Sequence, residues 1–167
     1  MSQAILDLQS ARESAPPIST PVALDIFASV QMNAEPCRVL YALAIPEYME
    51  AWLQFPDMDR IECHSERRSY DRFRIDLFCA GARRHSIFGS CLLSKPNRIT
   101  YLWEREHSGD RAGSVVEIRL WGDLNRCNLK LKHSGFRSPS ESESHSRIWH
   151  RSLNKLSTLM ERIAINQ

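Results

Sequence analysis

The chain has 167 residues, a length typical of one domain, and it can form a core without disulfide or metal crosslinks. Its 22 basic and 20 acidic residues give a formal net charge of +2, and no concentrated basic stripe of the kind found in nucleic-acid-binding proteins is present. No stretch approaches the roughly 18 consecutive apolar residues of a membrane span, and the first residues show no signal-peptide pattern.

The five cysteines are odd in number, and no two of them form a CxxC motif. This usage favours reduced thiols in a reducing compartment, so we expect a cytoplasmic protein. Cys63 and His64 are adjacent, but neighbouring residues of a strand point to opposite faces. We therefore expect neither a metal site nor a cofactor.

Residues 1–20 are rich in Ser, Pro and mixed charge, and Pro16, Pro17 and Pro21 disfavour both helix and sheet. This segment is predicted to be a flexible tail. Residues 21–167 are predicted to form one domain.

Residues 22–32 are predicted to form the first strand, because alternate residues from Leu24 to Met32 are apolar. Two short helices are expected next. Pro36 suits the first turn of a helix, whose apolar positions continue to Leu43. Pro46 ends that helix and can begin a second one, which extends to Leu53.

Six further strands are predicted between residues 58 and 133, because apolar and polar residues alternate between turn-like breaks. Their ranges are 58–65, 69–79, 84–93, 98–106, 114–121 and 124–133. One apolar and one polar face indicates an antiparallel sheet packed on one side, and the short connections favour a meander.

Residues 137–146 are polar and rich in Ser and Glu, which predicts an exposed loop. The strongest helical pattern follows, from Trp149 to Ile163, with basic residues on its outer side. The predicted order is therefore β-αα-β6-α, in an α+β domain of two layers.

Three segments resemble one branch of the START-like (SRPBCC) domains, the branch named after the activator of the Hsp90 ATPase. These segments are 34–52, 96–104 and 129–136, the last followed by His145, Trp149 and Leu153. The resemblance extends over about residues 22–165. It implies a helix-grip fold, in which a seven-stranded curved antiparallel sheet wraps around a long C-terminal helix.

The resemblance also implies an internal cavity between the sheet and the last helix, because such domains are similar to lipid and steroid carriers, hormone receptors, polyketide cyclases and co-chaperones. The candidate lining residues are Trp52, Phe73, Ile75, Leu77, Tyr101, Trp103, Ile118, Leu131, His133, Trp149, Leu153 and Leu156. The alternative interpretation of the same residues is a filled hydrophobic core.

Three candidates carry polar tips that could orient a ligand: Tyr101, Trp103 and His133. The alternative for His133 is a core histidine bonded to a backbone carbonyl or to Tyr101, and the other two can be packing residues. No nucleophile motif or Gly-rich phosphate loop is present, so no catalytic residue is assigned.

The sequence therefore favours a binding module for a small apolar or amphipathic molecule, acting as a carrier or sensor. Two other functions stay open. One is a cyclase-like enzyme with His133 and Tyr101 as an acid–base pair. The other is a co-chaperone-like module with a protein partner. We expect no nucleic-acid partner, and either a monomer or a homodimer is compatible with the sequence.

Overall fold

The computed structural model describes residues 24–66, 69–105 and 113–165. The described elements are β1 (Ile26–Met32), α1 (Pro36–Ala44), α2 (Pro46–Trp52), β2 (Arg60–Glu66), β3 (Ser69–Cys79), β4 (Ala82–Lys95), β5 (Arg98–Arg105), β6 (Ser114–Gly122), β7 (Cys127–Ser134) and α3 (Pro139–Ile165). The predicted α+β class and the order β-αα-β6-α are confirmed. The predicted tail over residues 1–20 lies outside the described residues.

All seven strands form one antiparallel sheet in the order β1-β7-β6-β5-β4-β3-β2. Strands that follow one another from β2 to β7 are neighbours in the sheet, whereas β1 pairs with β7 at the far end, with Ile26 opposite His133. The strands β1 and β2 are therefore the two edges, and α1 and α2 connect them. The sheet curls into a half-barrel around α3, as the helix-grip prediction expects.

The concave face of the sheet is the apolar face that the alternation predicts. Ile99, Tyr101 and Trp103 of β5 are buried, and so are the inward residues of β6 and β7. The apolar stripe of α3, which includes Trp149 and Leu156, completes the same core. Burial of these side chains is the main favourable term in forming the two-layer fold.

The predicted loop over residues 137–146 is wrong, because α3 begins at Pro139. The hydroxyl of Ser138 accepts the backbone N–H of Glu141 at 3.2 Å, and the carboxylate of Glu141 accepts the N–H of Arg137 at 3.1 Å. One bond satisfies an N–H of the first turn and the other an N–H just before the helix, much as in a capping box, and proline suits the first helical position. The polar composition of this segment belongs to an exposed first turn.

The last strand begins at Cys127 and not at residue 124 as predicted. The preceding residues form a tight turn, in which the N–H of Asp123 donates to the carbonyl of Arg126 at 2.9 Å. Gly122 has φ of 157°, and a Cβ there would lie 1.8 Å from the carbonyl oxygen of Arg126. A side chain at this position would therefore disrupt the turn.

The break between α1 and α2 falls at Pro46, as predicted. Ile45 is both the last cap of α1 and the first cap of α2, since proline offers no N–H to continue the first helix. The indole N–H of Trp52 then donates to the carbonyl of Ala42 at 3.0 Å and holds the two helices together.

The convex face of β3 carries an ion cluster in which the carboxylate of Asp76 is buried and its arginine partners are half exposed. Arg74 and Arg83 lie 3.0 and 3.5 Å from its carboxylate, and Ser86 donates to it at 2.5 Å. Burial alone raises the pKa of Asp76, but the bond from Ser86 and the two guanidinium groups outweigh it and lower the pKa. Arg74 therefore forms an ion pair with Asp76 on this face.

Candidate functional site

One side of the domain has an opening between α3 and the strands β3 and β4. It has a volume of about 450 Å³. Its lining residues are Phe55, Pro56, Asp57, Met58, Leu77, His85, Ser86, Ile87, Ser144, His145, Arg147 and Ile148. We refer to this as the side opening. It leads to the concave face of the sheet, because Leu77 and Ile87 belong to the buried core.

The loop between α2 and β2 forms one wall of the side opening and is held at both ends. At one end the N–H of Gln54 donates to Ser152 of α3 at 2.9 Å, and the Ser152 hydroxyl donates back to the Gln54 carbonyl at 3.4 Å. At the other end the N–H of Asp59 donates to the Phe78 carbonyl at 3.0 Å. These bonds position the loop side chain of Phe55 beside the helix.

The side opening has an apolar inner wall and polar groups at its rim. Leu77, Ile87 and Ile148 are buried, whereas His85 and Arg147 are exposed. A largely apolar concavity with a few polar groups is how small-molecule sites are usually built.

The hydroxyl of Tyr101, one of the three predicted polar tips, donates to the carbonyl of Leu43 at the end of α1. Tyr101 is buried, and burial raises the pKa of its phenol well above the usual value. The side chain is therefore a neutral donor whose hydrogen is already used within the protein.

His133 is fully buried, and both of its ring nitrogens have partners. Trp149 donates its indole N–H to Nδ1 at 2.8 Å, and Nε2 lies 2.8 Å from the Ser114 hydroxyl. An indole can only donate, so Nδ1 is the unprotonated nitrogen and Nε2–H donates to Ser114. Burial, with a smaller contribution from His145, lowers the pKa of His133 to about 3.

His133 and Tyr101 therefore engage separate partners, Trp149 and Ser114 for the first and Leu43 for the second. The described hydrogen bonds do not bring the two side chains together as an acid–base pair. The bonds of His133 fit the alternative interpretation, that of a core histidine. Its partners, however, are Trp149 and Ser114 and not a backbone carbonyl or Tyr101.

Trp103 is the remaining polar tip. Its side chain is 5% exposed, and its Nε1 is buried with no hydrogen-bond partner among the residues that the structure describes. The ring centroid of Trp103 lies 5.2 Å from that of Trp149 and 5.9 Å from that of His133.

All twelve predicted lining residues lie in the buried core, and one of them, Leu77, also lines the side opening. Which of them contacts a ligand stays a prediction. Sequence reasoning missed the other residues of the opening. His145 was named in the resemblance but not as a lining residue, because it fell in the predicted loop over residues 137–146. Ile148 lies just before Trp149, where the predicted apolar stripe of the helix began. His85 could have been found, since it lies opposite Leu77 in the register of β3 and β4.

A second groove, of about 950 Å³, lies at the other end of the sheet, beside the turn before β7 and the end of α3. It is lined mainly by charged and amide side chains, including Glu35, Arg38 and Arg126. This groove lies on the surface, remote from His133 at the opposite end of β7.

The described residues present no group of three or more His, Cys, Asp or Glu side chains arranged to hold a metal ion. Among the helices of the described ranges, none combines the length and apolar character needed to cross a membrane. Exposed apolar side chains of the same ranges include Phe27 and Trp121 on the convex face, Tyr41 and Tyr48 on the helix pair, Phe88 and Leu92 on β4, and Leu124 and Ile163 at the second groove.

A curled seven-stranded antiparallel sheet that holds a long C-terminal helix defines the helix-grip, or START-like, class of domain. The chain belongs to the family described as activator of Hsp90 ATPase homolog 1-like proteins, whose family model matches residues 33–161. The resemblance inferred from the sequence is thus confirmed. No curated protein sequence matched the chain.

Solved structures of similar proteins support the same fold. Protein CV1439 from Chromobacterium violaceum is 21% identical with a TM-score of 0.67, and the match covers 82% of this chain and 96% of that one. Protein MLL2253 from Mesorhizobium loti is 21% identical with a TM-score of 0.63, over 83% and 97% of the two chains. DynU16, a protein of the dynemicin biosynthetic locus, is 18% identical with a TM-score of 0.60, over 82% and 47%.

Proposed function

We propose that this chain binds a small apolar or amphipathic molecule between the sheet and α3, as a carrier or sensor. The observation that carries the proposal is the side opening of about 450 Å³, whose apolar wall is continuous with the core on the concave face. The apolar part of the ligand lies against Leu77, Ile87 and Ile148. Its polar part lies at the rim, near His85 and Arg147.

The driving force is the removal of apolar surface from water, at roughly 25 cal/mol for each Å² buried. The rim groups contribute orientation more than affinity, because exposed charges are well solvated and screened. The site therefore accommodates molecules that share an apolar body of suitable size.

The proposal includes no chemical reaction. The two side chains that a cyclase-like mechanism requires, Tyr101 and His133, donate their hydrogens to Leu43 and Ser114. A general acid or base must have a proton or lone pair available to the substrate, and these bonds leave neither group free for that role.

The first test is native mass spectrometry of the purified protein beside the same sample after denaturing extraction. A mass excess that is lost on denaturation supports the proposal and gives the mass of the bound ligand. The second test titrates the protein with N-phenyl-1-naphthylamine, a neutral apolar fluorophore whose emission rises on transfer from water. We expect saturable binding at one site.

Two variants in the same turn of α3 decide whether that site is the side opening. Ser144 lines the opening, so Ser144→Trp places a large side chain in it, whereas the side chain of Glu143 is 74% exposed and is not among the lining residues. We expect Ser144→Trp to weaken probe binding about tenfold or more, a loss of about 1.4 kcal/mol, and Glu143→Trp to leave it unchanged. Equal effects of the two variants, or no saturable binding to the unmodified protein, would contradict the proposal.

A further inference from the structure

We propose that the indole N–H of Trp103 donates a hydrogen bond to an oxygen atom of the bound molecule. The site then prefers a ligand with a carbonyl or carboxyl oxygen over a hydrocarbon of the same shape. This inference rests on the proposed function, and it goes further by naming the polar contact that selects the ligand.

Hydrogen bonding within the protein distinguishes Trp103 from the other two polar side chains of the concave face. Tyr101 donates to Leu43, and His133 accepts from Trp149 and donates to Ser114. Trp103 Nε1 is as deeply buried, but it has no acceptor within the described ranges. Of the three, Trp103 alone has a hydrogen left for a ligand.

Native proteins contain few buried donors without an acceptor, because such a donor loses its hydrogen bond to water and gains none in return. An indole N–H can only donate, so the missing partner must be an acceptor. An ether, carbonyl or carboxylate oxygen meets this requirement, whereas a hydrocarbon or an ammonium group does not. The chemistry of Trp103 therefore favours a ligand that carries an acceptor such as a carbonyl or carboxyl oxygen over one that carries none.

Trp103 is not itself among the residues that line the side opening, but it lies next to one that is. Trp103 of β5 pairs with Gly89 of β4. Two residues from Gly89, on the same strand and the same face, Ile87 lines the opening. Such diagonal neighbours on one face lie roughly 7–8 Å apart. From the helix side, the ring of His145, also a lining residue, lies 5.3 Å from that of His133, which in turn contacts Trp103.

The side chains around the indole leave it without a protein acceptor for a structural reason. A Cβ added at Gly89 would lie 2.0 Å from Cζ of Phe73, so the Phe73 ring covers the glycine opposite Trp103. The nearby Trp149 is itself a donor, and both nitrogens of His133 are engaged. An acceptor delivered by a ligand thus meets no competing bond.

The test compares two probes of nearly the same shape, 2-acetonaphthone and 2-isopropenylnaphthalene, in which a carbonyl oxygen replaces a methylene carbon. Their affinities are measured by calorimetry, and the indole N–H resonances of the ¹⁵N-labelled protein are followed during titration. We expect the ketone to bind about tenfold more tightly, the upper part of the range for one hydrogen bond. We also expect the Trp103 resonance to move downfield with the ketone only.

Trp103→Phe removes the N–H and should reduce ketone affinity to that of the alkene. Trp121→Phe, on the convex face, is the matched control and should preserve the preference. Equal affinities with an unmoved Trp103 resonance in the unmodified protein overturn the role of Trp103 while leaving the proposed function intact. Binding of neither probe, with no other ligand found by native mass spectrometry, overturns both. The comparison of probes on the unmodified protein decides the matter even if Trp103→Phe fails to fold.

Discussion

Trp149 of α3 donates its indole N–H to Nδ1 of His133 on β7 at 2.8 Å, inside a core where both side chains are at most 1% exposed. This bond joins the gripping sheet to the helix it holds. It also fixes the tautomer of His133, whose Nε2–H is directed to Ser114. The position of the helix on the sheet is therefore fixed by a buried hydrogen bond as well as by apolar packing.

Replacing Trp149 by Phe should lower the free energy of unfolding by about 3 kcal/mol, because a buried acceptor loses its donor and the smaller ring leaves a gap. Urea denaturation followed by circular dichroism measures this loss. Trp121→Phe, at an exposed position on the convex face, should change stability by less than about 0.5 kcal/mol. Similar losses in both variants would show that the bond to His133 is unimportant.

Acid should destabilise the protein through His133. The pKa of this side chain is about 3 in the folded chain, against 6.5 for an unburied histidine. Below pH 6.5 His133 is protonated in the unfolded chain but stays neutral in the folded chain. The contribution of His133 to the free energy of unfolding is therefore fully present above pH 6.5 and is lost as the pH falls towards 3. Between pH 7 and pH 5 the loss from this one group is about 2 kcal/mol.

The measurement is urea denaturation at several pH values in that interval, where the carboxyl group of Asp76 is still ionised. His133→Gln is the comparison. This variant is expected to be less stable at neutral pH. Its free energy of unfolding should fall by about 2 kcal/mol less than that of the unmodified protein between pH 7 and pH 5. A pH dependence that is identical in the variant would assign the acid sensitivity to other groups.

Gly89→Ala should lower the free energy of unfolding by about 1–3 kcal/mol or more, because the added methyl group overlaps the ring of Phe73. Ser90→Ala, at the next residue and on the opposite face of β4, is the control and should be nearly neutral. In a Phe73→Leu background, Gly89→Ala should cost less, since the conflicting ring atoms are gone. Thermal unfolding of the four variants tests this coupling, and purely additive effects would refute it.

Ser138→Ala should cost about 1 kcal/mol of stability, the usual effect of losing a helix cap. The hydroxyl of Ser138 accepts the N–H of Glu141, so hydrogen exchange at that amide should accelerate as the first turn of α3 frays. Ser146→Ala, two turns later in α3, should leave exchange at Glu141 nearly unchanged. If the two variants behave alike, Ser138 is not the cap.

The sequence alone was sufficient for the order of elements and the inner face of the sheet. Alternation in β5 predicted that Ile99, Tyr101 and Trp103 share a buried face, and spacing in α3 predicted the stripe that contains Trp149. Periodicity is a local property that each strand or helix carries in its own residues, because burial on one side selects apolar residues at the period of the backbone. Its failure at residues 139–146 arose where polar composition outweighed the capping signal at Ser138.

Only the tertiary structure decided which of the three polar tips have hydrogen-bond partners within the protein and where the side opening lies. The acceptor for Tyr101 is the carbonyl of Leu43, 58 residues away in the chain, and no local pattern indicates it. The side opening combines the α2–β2 loop, two strands and the first turns of α3, which meet only in the folded chain. Hydrogen bonds and cavities depend on the atoms that happen to face one another across such distances, and these are set by packing of the whole fold.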